Sequence, residues 1–189
     1  MADKDIFAER GRSLEDEYFR ARDRELIEKM RLAAAAAQAR ADMSARTGLS
    51  DPGLLQELQA LGFTPETVAL LPLVPAIQVA WAEGGVTVAE RALLVKLARA
   101  RGVAEGTPAD RQLADWLDER PADDVFARAR RLIQAMLAAS PDQESADDLV
   151  RHCEAIAAAS GGVFGMSRVS ADERQLLKSL AAELSGRAH

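Results

Sequence analysis

From Asp3 to Arg46 the chain runs without a proline and with a single glycine, Gly11. Nothing in this stretch breaks a helix, so it predicts one of some forty residues, about 60 Å long at 1.5 Å of rise per residue. Opposite charges recur there at helical spacing: Asp16 with Arg20, Arg24 with Glu28, and Glu25 with Lys29. Each such pair adds only about 0.3–0.5 kcal/mol, but a series supports a helix that has no protein behind it. Apolar groups gather at Leu14, Tyr18, Phe19, Leu26, Ile27 and Met30, and from Leu32 to Ala41 the sequence turns Ala-rich. So narrow an apolar seam belongs to an arm, a coiled-coil strand or a partner-binding element.

The rest of the chain is helical on composition. Aromatics are 4% of its 189 residues while alanine takes 38 positions. Alanine favours helix, whereas sheet interiors draw on β-branched and aromatic side chains. An apolar content of 48% is enough for a sizeable core. The arm ends at Thr47-Gly48-Leu49-Ser50-Asp51-Pro52, where Gly48 suits a helix end and Ser50 or Asp51 with Pro52 a helix start. The division is therefore an arm over 1–47 and a helical domain over 48–189. Within the domain the punctuation predicts about seven helices. A short one carries Leu54, Leu55, Leu58 and Leu61 and closes at Gly62. One restarts at Thr64-Pro65-Glu66 and runs into Val79, Ala80 and Trp81. The others run over 88–101, from Thr107-Pro108, from Pro121, from 142 to about 159, and from Ser170 to Leu184.

The net charge of −6 argues against nucleic acid, which calls for a concentrated basic face. Residues 1–50 balance ten basic against ten acidic groups, so the deficit sits in the domain. Cys153 is the sole cysteine, which fits a reducing compartment. The opening residues lack the pattern of a secretory signal. The longest apolar stretch, 68–82, is broken by Pro72, Pro75 and Gln78 and reads as a core helix rather than a membrane span. These features place the protein in the cytoplasm as an expectation. His152 and Cys153 are neighbours, about 100° apart on a helix, and cannot share a metal. Gly161-Gly162-Val163-Phe164-Gly165 lacks the following Gly-Lys-Ser/Thr of a phosphate loop. No acid–base pair or activated nucleophile emerges, so the expectation is a protein without enzymatic activity and without a required cofactor.

Two stretches of the domain look alike. Val79-Ala80-Trp81-Ala82-Glu83-Gly84-Gly85-Val86-Thr87-Val88-Ala89-Glu90-Arg91 is echoed by Ile156 to Gly162 and then, after six further residues, Val169-Ser170-Ala171-Asp172-Glu173-Arg174. Each reads as apolar helix, small-residue turn, hydroxyl cap and a Glu three residues later. Thr87 with Glu90, and Ser170 with Glu173, match the capping box, which accounts for both segments with no ligand. The pattern also resembles the TerB-like family of tellurite-resistance proteins, whose all-helical fold is shared by the amino-terminal domains of DjlA-type co-chaperones. The likeness spans roughly Glu66 to Ser185. It implies a TerB-like helical bundle and a stress-related divalent metal site, with Glu83, Glu90 and Glu173 at the acidic positions. Ser160 stands where the family has its remaining acid. Calcium takes six or more oxygen ligands, more than three separate Glu side chains readily supply.

The arm carries a resemblance of its own. Glu15-Asp16-Glu17-Tyr18-Phe19-Arg20-Ala21-Arg22-Asp23-Arg24-Glu25-Leu26-Ile27 is similar to the inhibitory segment of the mitochondrial ATP synthase inhibitor protein. In that family the helix inserts between subunits of the synthase and blocks ATP hydrolysis. The resemblance implies an F-type ATP synthase as partner and Glu15, Tyr18, Phe19, Arg20, Arg24 and Glu25 as contacting residues, to which the apolar edges of the helix add Leu14 and Ile27. The family's His-rich dimerising coiled coil has no counterpart downstream, where an Ala-rich run leads into the domain. Physically, an aromatic–Arg cluster on an exposed helix has the composition of a binding hot spot. The expectation is a regulatory binding protein. The alternatives are a metal-responsive stress protein and an assembly adaptor that forms a homodimer through the arm.

Overall fold

The computed structural model describes residues 2–139, 145–159 and 169–184, with side chains from residue 17 onward. All of its regular structure is helical, and no strand occurs among the described residues. The chain divides into two compact units, 1–41 and 42–189. The first consists of helix α1, Ala2–Thr47, up to Ala41.

The second unit begins with the end of the same helix. Met43 is fully buried there, and Thr47 Oγ1 donates to the Met43 carbonyl at 2.8 Å while accepting the Leu49 amide at 3.3 Å. The domain therefore takes in residues 42–47, which the turn chemistry at Gly48 assigns to the arm. A glycine marks where a helix stops, but it does not say which part of that helix has found a core.

Helix α2, Pro52–Ala60, starts on the Asp51 carboxylate, which accepts the amides of Gly53 at 2.7 Å and Leu54 at 3.1 Å. It closes at Gly62, whose φ of +84° is a backbone state that side-chain-bearing residues avoid. The single helix expected from Thr64 onward is instead two elements, a 3-10 segment Val68–Leu73 and helix α3, Val74–Ala80. Pro72 has no N–H for an α-helical bond, and Pro75 belongs to the first turn of α3, where a missing N–H costs nothing. Trp81 caps α3 rather than lying in its body.

Six of the seven residues of α3 are buried: Val74, Pro75, Ala76, Ile77, Val79 and Ala80. Around it stand α4 (Val88–Ala100), α6 (Asp123–Ala139), α7 (Ala146–Ala159) and α8 (Ala171–Leu184), with its broadest contact on α7. Helix α5, Pro108–Asp118, packs on α4 and on the 3-10 segment. The two similar sequence stretches are thus the pairs α3–α4 and α7–α8, meeting through α3 and α7.

Polar ties hold helices that are distant in sequence. The last carbonyls of α5 have no partner within their helix. Trp81 Nε1 donates to that of Trp116 at 2.9 Å, and Arg91 donates to that of Leu117 at 2.8 Å and to Asp118 at 2.6 Å. Glu57 of α2 is gripped by Arg128 and Arg131 of α6. Arg130 reaches Glu183 of α8 at 2.6 Å and Gln78 of α3 at 2.8 Å. The guanidinium groups beside Glu57 hold its carboxyl below the ordinary carboxylate range against the opposing effect of desolvation.

A chain starting at residue 48 is expected to melt at lower temperature than one starting at 42. Loss of buried Met43 alone costs about 2–5 kcal/mol. Equal melting temperatures of the two truncations would show that residues 42–47 are not part of the domain core.

Candidate functional site

On the first helix Tyr18 and Phe19 are 60% and 61% exposed, with ring centroids 5.9 Å apart and planes at 72°. Edge-to-face contact suits aromatic quadrupoles, so the two rings steady one another while still facing solvent. Leu26, Ile27, Met30 and Leu32 are exposed as well. Leu32 opens the Ala-rich run of the sequence. Its spacing of fourteen residues from Tyr18, nearly four turns, puts it on the Tyr18 side.

The residues selected from sequence wrap around the helix rather than sharing one face. At 100° per residue Tyr18 lies beside Glu25, whereas Phe19 lies with Leu26 and Met30. Ile27, Arg20 and Arg24 form a third strip, and together with Glu17 and Asp23 they line one shallow depression. A second depression is lined by Arg22, Glu25, Leu26 and Lys29. The side chains of Leu14, Glu15 and Asp16 lie outside the described residues.

Of the expected ion pairs, Glu25 with Lys29 is present at 2.7 Å, both partners exposed. Such a pair contributes a few tenths of a kcal/mol, so it supports helicity more than it fixes a binding geometry. Arg24 donates from Nε to the Arg20 carbonyl at 3.2 Å. The helix surface over 17–31 is therefore a mosaic of charges and exposed apolar groups, a composition suited to contact with another polypeptide.

The second set of candidates lies in the domain. Thr87 and Glu90 form a complete capping box at the start of α4. The Glu90 carboxylate accepts the Thr87 amide and hydroxyl, both at 2.7 Å, and Thr87 Oγ1 accepts the Glu90 amide at 3.3 Å. Ser170 and Glu173 repeat the arrangement at α8, with the Ser170 amide on Glu173 at 2.7 Å and the Glu173 amide on Ser170 Oγ at 3.1 Å. A third instance, Ser145 with Asp148 at α7, has Asp in place of Glu at the third helical position, which hides it from the Ser/Thr-x-x-Glu pattern.

Glu90 and Glu173 are 2% and 0% exposed, which their spacing alone does not announce. Desolvation pushes the Glu90 carboxyl above the ordinary range, the Thr87 hydrogen bonds oppose this, and the charges of Glu173 and Glu83 raise it further. The tertiary fold therefore gathers the three acids of the sequence reading into one electrostatic neighbourhood, with Glu83 at the exposed turn. Two of them already serve backbone amides, and no group of three or more His, Cys, Asp or Glu side chains is placed to hold an ion among the described residues. The turn at Ser160–Gly162 lies outside the described residues.

Burial pushes the Cys153 thiol up to about 12 and makes it a poor nucleophile. Burial, then the charge of Arg101, lowers the neighbouring His152.

Because the folded-state value of Glu90 lies above its ordinary 4.5, the native state holds this proton more tightly than the unfolded chain. Its contribution to stability is accordingly full below pH 4.5 and declines as pH rises through the window above it. Glu90→Gln keeps an oxygen acceptor for Thr87 and removes the charge, so it should match or exceed the parent in stability at pH 7 and flatten that decline. Glu90→Ala should lose about 1 kcal/mol through the cap. Denaturant melts of the three proteins between pH 4 and 8 check this, and a Gln variant weaker than the Ala variant would contradict it.

No helix among the described residues is long and apolar enough to cross a membrane. No family model, curated protein or solved structure matches the chain.

Proposed function

We propose that this is a regulatory binding protein, acting in the cytoplasm, whose first helix docks into a groove of a protein partner. The observation that carries the reading is the exposed Tyr18–Phe19 pair on a proline-free helix, set among Arg20, Arg24 and Glu25. Large rings with few rotatable bonds lose little entropy on binding, and aromatic and Arg side chains dominate interface energetics. The resemblance of Glu15–Ile27 to the inhibitory segment of the ATP synthase inhibitor protein supplies the partner: an F-type ATP synthase, with ATP hydrolysis blocked. The TerB-like helical domain is, in this reading, the body that carries the inhibitory helix.

Hydrolysis by purified F-type ATP synthase is expected to fall when the protein is added. Tyr18→Ala combined with Phe19→Ala should weaken that effect severely, since loss of a central aromatic costs about 2 kcal/mol or more, roughly thirtyfold in affinity per ring. Hydrolysis rates that are equal with protein, with variant and with buffer would remove the proposal.

A further inference from the structure

We draw no further inference here: the strongest candidate, the apolar crevice between α3, α5 and α6 lined by Val74, Ile77, Trp116, Pro121, Val125 and Phe126, leaves no room for a water molecule, and nothing in the structure shows what covers it.

Discussion

A seven-residue helix with six buried side chains persists only if other helices enclose it. Alone, α3 is far too short to hold its hydrogen bonds against water, because helix nucleation is costly and two turns return little. Its stability comes from the apolar surface it shares with α7, α6, α8 and α4. The other features of the domain follow from that enclosure. The helices around α3 leave backbone groups without partners at their ends, and side chains must meet them.

Two answers to that demand recur. Helix starts are met locally, by Asp51, Thr87, Thr107, Ser145 and Ser170 on amides two or three positions away. The exposed end of α5 is met from afar, by Trp81 and Arg91. At α4 and α8 the local answer brings a carboxylate into the interior with its cap. The same residues thus stabilise two helix starts, and burial first, with the charges of Glu173 and Glu83 added to it, makes Glu90 hold its proton more firmly than an ordinary carboxyl.

The first helix obeys the opposite rule. Its apolar groups are spread over more than one edge and interrupted by charge, so no single packed layer within the chain would suit them. A helix of this kind keeps its shape through alanine content and charge spacing and keeps its apolar groups available. In the proposed function it is the Tyr18–Phe19 pair that meets a foreign surface.

Helix content, the long opening helix and the capping boxes were readable in the amino-acid order, because each depends on residues within about four positions of one another. Thr87 and Glu90 recognise each other whatever the rest of the chain does. What the order of residues left open is what depends on partners tens of positions away. Met43 looks like one more residue of an Ala-rich helix until the domain closes over it. Leu70 and Leu71 are buried only once the segment that breaks at Pro72 is packed, and Glu57, Arg128 and Arg131 meet only once α2 and α6 are adjacent. Local hydrogen bonding is written in spacing, whereas burial and the charges it brings together belong to the tertiary fold.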